Sequence, residues 1–275
     1  MPEGDSIFRA ARNMHRVLAG HAVTKFESAY AHLDRVNVDT PVVGRTIERV
    51  ESAGKHHLIV FSGDLILRTH MRMSGSWHLY RHGERWWRGP QAMRVRVDTA
   101  DWVAVAFDVP VAEFVTVKEL KTSDPVAKLG PDLLGREFDR HEAVRRLRAS
   151  AHQPIAMSLL DQRLVAGIGN IYKSETLFLA GVNPFTPAGS VPTDVLENLL
   201  DIARGLLKDN VVEGTSERIQ TYRNLRMRNP ASKYDESLWV YGRAGKPCRK
   251  CGTPIDMKRM GIDARSTYWC RKCQG

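Results

Sequence analysis

The chain has 275 residues, 43% of them hydrophobic, enough for a packed core and for two domains or one domain with appendages. Its formal net charge of +10 favours a polyanionic partner, most simply nucleic acid, over an acidic surface or a neutral one. No run of 18 apolar residues occurs and no basic-then-apolar leader opens the chain, which argues against a membrane span and makes cytoplasmic residence the expectation, nucleoid-associated if the source is bacterial.

In chain order the first feature is Met1-Pro2-Glu3-Gly4-Asp5. An initiator methionine ahead of proline is normally trimmed, which would leave Pro2 as a free secondary amine. An α-amino group titrates near pH ~8, far below a lysine side chain, so a useful fraction is unprotonated at neutral pH. Such an amine can attack an electrophilic carbon and hold it as an iminium, with Glu3 alongside as a proton donor. The plainer reading is a proline near the first turn of a helix. A helix is predicted from about Ser6 to Leu18, where Ile7, Ala11, Met14 and Leu18 form one apolar stripe and Arg9, Arg12 and Arg16 lie off it.

From about Ala22 to Lys118 the pattern predicts short strands. Residues 56–61 and 65–70 flank the turn Ser62-Gly63-Asp64 as a hairpin. Met93, Val95 and Val97 alternate with Arg94, Arg96 and Asp98, and Val103, Val105 and Phe107 repeat the alternation. Residues 114–117 add a further strand, and the whole implies a sandwich or barrel. Arg81 to Pro90 is polar, carries Trp86, Trp87 and Gly89, and reads as a mobile loop.

Beyond about Asp139 the pattern turns helical, with helices predicted near 141–149, 154–161, 170–180 and 193–209. Gly167-Ile168-Gly169-Asn170 lies between two of them. Its glycines let the backbone pass close to another surface, and the amides at the following helix start suit a phosphate, with Asn170 adding a side-chain hydrogen bond. The compatible plain reading is a helical hairpin in which Asn170 is the N-cap.

All four cysteines fall near the end: Cys248, Cys251, Cys270 and Cys273, spaced CxxC, 18 residues, CxxC. Four thiolates on two tight turns suit one tetrahedral structural zinc with no open position, and the metal would supply most of the stability of so short a segment. Two disulfides are the competing reading, disfavoured by the expected compartment. The hairpin between the pairs carries Lys258, Arg259, Asp263 and Arg265, and from residue 236 onward nine basic side chains face three acidic ones. Trp269 is expected to pack and Arg265 to reach outward to phosphate.

Taken together, these features resemble the formamidopyrimidine-DNA glycosylase / endonuclease VIII family of base-excision repair enzymes. The resemblance covers essentially the whole chain. It is carried by Met1-Pro2-Glu3-Gly4, Gly54-Lys55-His56, His70-Met71-Arg72-Met73-Ser74-Gly75, the stretch Asp161 to Asn170, and Arg265-Ser266-Thr267-Tyr268-Trp269-Cys270. It implies an α+β multi-domain chain: an N-terminal antiparallel β-sandwich with an N-terminal helix at 1–125, a helix-two-turn-helix domain at 126–230 and a four-cysteine zinc β-hairpin at 231–275.

The resemblance also implies roles. Pro2 is the nucleophile at the sugar C1′ of a damaged nucleotide, and Glu3 the acid/base. Lys55 reaches a phosphate beside that nucleotide, although by itself it reads as an exposed turn lysine. Asn170 and Arg265 clamp phosphates of a kinked strand, and Arg265 counts with the catalytic set. Arg72, Met73 and Ser74 fill the gap left by the extruded nucleotide, with Met73 alternatively a core residue. Glu175 supports the active site. One structural zinc is implied, with no redox or organic cofactor, and the partner is double-stranded DNA containing damaged bases, bound by a monomer.

Gly4 looks like the endonuclease VIII branch and Met73-Ser74-Gly75 more like the formamidopyrimidine branch, with oxidised pyrimidines the favoured lesion. Asp5 and Arg271 each stand where the family usually has proline. A non-catalytic protein that binds damaged or bent duplexes is the rival reading, since it would need the basic hairpin and the phosphate turn but not Pro2, Glu3 or Lys55. A zinc-ribbon RNA-binding module is a third reading and leaves the large β-rich half unexplained.

Overall fold

Alternating apolar residues and turn punctuation build the first half from short antiparallel strands. The computed structural model describes residues 2–212, 219–222 and 237–275; Met1 and the boundary expected between residues 230 and 231 lie outside them. The chain divides into two compact units, Met1–Lys128 and Leu129–Gly275.

The first unit opens with helix α1 (Gly4–Leu18), followed by β1 (Lys25–Ser28), α2 (Ala31–Asp39), β2 (Ile47–Ala53), β3 (His56–Phe61), β4 (Leu65–His70), β5 (Ser76–Arg81), β6 (Met93–Asp98), β7 (Trp102–Phe107), β8 (Val111–Val115) and α3 (Val117–Thr122). The strands form two antiparallel four-stranded sheets, ordered β1-β6-β7-β5 and β2-β3-β4-β8. Val95, Val97, Ala104 and Ala106 of one sheet share a core with Val50, Ile59, Phe61, Leu65 and Leu67 of the other. The stripe Ile7, Ala11, Met14 and Leu18 of α1 joins that core. β3 is buried on both faces: Leu58 and Val60 turn away from the shared core and pack with Ile66, Val115, Val117 and Leu120. That double burial explains why β3 reads as a continuous apolar run.

Two elements differ from the strand-only expectation for this region. Residues 31–39 are helical, with Leu33 as the one buried anchor of a short and weakly patterned helix. The strand expected at 114–117 is shifted to Val111–Val115, and α3 begins at Val117. Its start is set by a capping box: the Glu119 N–H donates to Thr116 Oγ1 at 3.1 Å, and the Thr116 N–H donates to the Glu119 carboxylate at 2.8 Å.

The second unit contains α4 (Arg140–Ala149), α5 (Ile155–Ser158), α6 (Asn170–Ala180), α7 (Thr193–Asp209) and the hairpin β9 (Asp256–Met260) and β10 (Arg265–Trp269). Leu147, Ile155, Ile171, Tyr172 and Leu177 pack with Leu196, Leu199, Leu200, Ala203 and Leu207 of α7. α5 stops well short of the expected end at Asp161. The Asp161 carboxylate accepts from the Arg163 N–H at 3.0 Å, and the Leu164 N–H donates to the Asp161 carbonyl at 2.9 Å, so an aspartate-led turn replaces the helix. Among the described residues no helix is long and apolar enough to cross a membrane.

Candidate functional site

At the head of α1, Pro2 is half-buried and Glu3 is fully buried. The Glu3 N–H donates to Ser6 Oγ, and the Ser6 hydroxyl donates to the Glu3 carbonyl, each at 2.9 Å. Asp5 is also fully buried and pairs with Arg9 at 3.5 Å. Two carboxylates at the start of a helix lie where the backbone amides lack helical partners and the helix dipole favours negative charge. Pro2 is therefore presented from a helix start whose neighbouring acid is withdrawn from bulk water.

Lys55 lies in the β2–β3 turn after Gly54, whose φ of 56° suits glycine, and is half-buried. Next to it the cross-strand pair His56 and His70 meet edge to face at 4.8 Å. Arg68 donates to His56 Nδ1 at 3.1 Å and forms a deeply buried ion pair with Asp124 at 2.7 Å. The Arg72 N–H donates to His70 Nδ1 at 3.1 Å, which fixes the start of the following loop. Burial, aided by the positive charges of Lys55, Arg72 and Arg68, pushes His70 down to about 4. Burial, aided by His70 and Arg68, pushes His56 down to about 3. Both imidazoles are neutral at pH 7, so the positive charge at this end of β3 and β4 comes from the lysine and arginine side chains.

Met73 keeps 61% of its surface exposed, which removes its reading as a core residue, and Arg72 and Ser74 are exposed beside it. Gly75 closes the loop for a steric reason. A Cβ there would lie 2.7 Å from the Met71 carbonyl and 3.0 Å from the Val109 Cα, so the loop and the β7–β8 turn approach too closely for any side chain.

In the second unit, Gln162 braces the turn before α6. Its side-chain nitrogen donates to the carbonyls of Leu160 and Ile168 at 3.0 and 2.9 Å, and its oxygen accepts from the Gly167 N–H at 3.0 Å. Gly167 has φ 106°, a conformation that L side chains rarely adopt. Gly169, not Asn170, is the N-cap of α6. Asn170 has turned instead toward β10: its Nδ2 donates to Ser266 Oγ at 3.1 Å, and its Oδ1 accepts from Lys173 Nζ at 2.6 Å. Lys173 is fully buried and also donates to the Ser266 carbonyl at 2.9 Å and Thr267 Oγ1 at 2.8 Å. This lysine locks the glycine-rich turn to the strand that begins with Arg265. Sequence reasoning passed over it, although its position three residues after Asn170 on one helix face was the available signal. The Arg265 side chain is 40% exposed and lies 3.5 Å from Asp263.

The four cysteine sulfurs lie within 4.8 Å of one another, with separations of 3.9 Å for Cys248–Cys273 and 3.5 Å for Cys251–Cys270. A tetrahedral zinc with Zn–S bonds of about 2.3 Å needs sulfurs about 3.8 Å apart, close to the two separations above, so the set is gathered to hold one zinc ion. All four ligands are protein thiolates, which makes the metal structural: it cross-links the two knuckles and leaves no position for substrate. Trp269 packs edge-on against Phe185 at 4.8 Å. Arg271 forks onto Asp256 with bonds of 2.8 and 2.6 Å, a use for the residue that departs from the usual proline.

Glu175 is buried beneath the ribbon and accepts hydrogen bonds from three consecutive backbone amides, Trp239 at 2.7 Å, Val240 at 2.9 Å and Tyr241 at 2.8 Å, and from the Thr221 hydroxyl. Burial pushes its carboxyl up, and these donors oppose the shift. Its visible role is to tie the segment entering the ribbon to α6.

Comparison with known proteins aligns the chain along its whole length. Residues 1–110 match the formamidopyrimidine-DNA glycosylase N-terminal domain, residues 129–221 the formamidopyrimidine-DNA glycosylase H2TH domain, and residues 245–275 the zinc finger found in FPG and IleRS. A Streptomyces coelicolor protein named probable endonuclease 8 2 is 39% identical over all of this chain and 94% of its own length. A Mycolicibacterium smegmatis DNA-(apurinic or apyrimidinic site) lyase, Nei2, is 34% identical over 100% of this chain and 99% of its own. Among solved structures, the complex of Lactococcus lactis Fpg with DNA containing an abasic site superposes with a TM-score of 0.80 at 26% identity, covering 99% of each chain.

Proposed function

Because this chain belongs to the formamidopyrimidine-DNA glycosylase / endonuclease VIII family, we propose that it is a bifunctional DNA glycosylase and AP lyase of base-excision repair that removes oxidised bases, pyrimidines in preference. The observation that carries the reading is the N-terminal pair: a proline that becomes a secondary amine once Met1 is removed, followed by a carboxylate buried at the head of α1.

The Pro2 nitrogen attacks the sugar C1′, and the bond from C1′ to the damaged base breaks as the base leaves with a proton. The sugar ring opens with Glu3 exchanging the proton on its oxygen, and an iminium forms between C1′ and Pro2. The iminium acidifies the C2′ proton, whose loss expels the 3′ phosphate; a second elimination expels the 5′ phosphate, and water releases Pro2. Lys55 neutralises a phosphate beside the reacting sugar. Asn170 and Arg265 hold phosphates through the amide and guanidinium that Lys173 and β10 position. Extruding a nucleotide costs a few kcal/mol, and the exposed Met73 with Arg72 and Ser74 replaces the lost stacking. The partner is a duplex containing damaged bases, met by a monomer in the cytoplasm. Zinc takes part in no step and holds β9 and β10 in place.

Replacing Glu3 by Gln and, separately, Pro2 by Gly tests the reading. Strand cutting should fall by about 10²–10⁴-fold in Glu3→Gln and be lost in Pro2→Gly, while both variants still bind a duplex with an abasic site. Cutting that survives Pro2→Gly would point to another amine as nucleophile, the substituted N-terminus included, and a wild type that cuts no such duplex would leave the non-catalytic DNA-binding reading.

A further inference from the structure

The loop between β5 and β6 uses its two tryptophans in opposite ways. Trp86 folds inward, its ring 5.8 Å from Phe107, and covers the outer face of β7. Trp87 turns outward and keeps 62% of its surface exposed. It is nonetheless fixed: His78 lies 5.0 Å from its ring, and its backbone N–H donates to the Tyr80 hydroxyl at 3.0 Å. The Arg88 guanidinium sits 4.6 Å from the Trp87 ring centre and pairs with Asp108. Arg85 is exposed and has no ion pair among the described residues. Residues 84–90 line a concavity of about 640 Å³.

Asp108 joins this loop to the exposed one described above. It occupies the tight turn between β7 and β8 with φ 47°, and its carbonyl accepts from the Ser74 hydroxyl at 3.5 Å. The exposed indole and the Arg72-Met73-Ser74 loop thus flank one turn of the first unit.

We propose that Trp87, with Arg85 beside it, is a stacking platform for an unpaired DNA base next to the 72–74 loop, a contact separate from the wedge itself. The proposal rests on the DNA reading above. A rigidly held aromatic face accepts any base, and a loop with two arginines, Arg85 and Arg88, and one glutamate complements the attached phosphates. That charge favours nucleic acid over an apolar protein partner, which would meet a single ring instead of a patch.

The test is equilibrium binding of the intact zinc-loaded protein to two duplexes carrying a tetrahydrofuran abasic analogue, one fully paired elsewhere and one with a single bulged 2-aminopurine beside the analogue. The wild type should prefer the bulged duplex and quench its 2-aminopurine. Trp87→Ala should bind the bulged duplex about tenfold more weakly, abolishing the preference and the quenching, and Trp87→Phe should retain most of both. Arg85→Ala should weaken both duplexes alike and lower the salt slope by about one. Equal affinities of wild type and Trp87→Ala for the bulged duplex, or equal losses on both duplexes, would overturn the platform and point to a protein partner or a structural role. Covalent trapping of Pro2 on a natural abasic site reports separately on the enzyme reading. Trapping without a Trp87 effect sinks the platform alone, and a Trp87 effect without trapping sinks the enzyme alone.

Discussion

The two ends of the chain solve the stability problem by different physics. The first unit carries Pro2, Glu3 and Lys55 on a sandwich whose core is apolar from both sheets and α1. The C-terminal hairpin carries Arg265 on two strands beside a small buried cluster, Val240, Ile255, Cys248, Cys270 and Phe178 of the neighbouring helix. In place of a core it has four converging thiolates, the buried Lys173 network and the Glu175 anchor. The lesson is that the proposed chemistry and the proposed phosphate grip fail under different insults.

Removing zinc is the largest expected effect. Structural zinc sites contribute on the order of 10 kcal/mol, so the apo protein should lose DNA binding while the sandwich keeps its own unfolding transition, followed by calorimetry and DNA titration before and after chelation. Normal binding by the metal-free protein would erase the contrast between the two regions.

Acid should strike the first unit. His57 is fully buried against Trp77, with rings 5.4 Å apart, and burial pushes it down to about 3, as it does His56. The unfolded chain takes up protons near pH 6.5 that the folded sandwich refuses. The stability tied to neutral imidazoles is therefore complete above pH 6.5 and is lost as the pH falls toward about 3. Each histidine contributes a slope of about 1.4 kcal/mol per pH unit in that window. His57→Phe should lose stability less steeply than the wild type between pH 6.5 and 5, by about that slope; identical slopes would show that the ring titrates in the folded state.

Lys173→Met is the subtler probe of the second unit. It strands the acceptors on Asn170, Ser266 and Thr267, at a cost of about 1–3 kcal/mol, and should weaken DNA binding about tenfold with zinc content unchanged. Adding Asn170→Ala should then cost little more, because the two residues act through one network. Full additivity would mean that Lys173 supports the ribbon without positioning Asn170.

Legibility followed locality. The β3–β4 hairpin, α6 and α7 coincide with the residues predicted from periodicity, glycine turns and caps, because those signals lie within the element itself. The cysteine spacing disclosed the metal site for the same reason. The helix at 31–39 offered one buried leucine and no capping side chain, so nothing local distinguished it. The capping box at Thr116 and Glu119 is local, but it falls where the apolar run at 114–117 reads as strand. Asn170 failed as a cap because its side-chain amide donates to Ser266, 96 residues away in β10, beyond any window of local reasoning.

The most direct measurement of the central claim is borohydride trapping of the purified protein on duplexes carrying an oxidised pyrimidine, 8-oxoguanine or a bare abasic site, with the adduct mapped by peptide mass. The account predicts a covalent adduct at Pro2, strongest among the damaged bases with the oxidised pyrimidine. No adduct on any duplex from protein shown to lack Met1, or an adduct at a lysine, would contradict it.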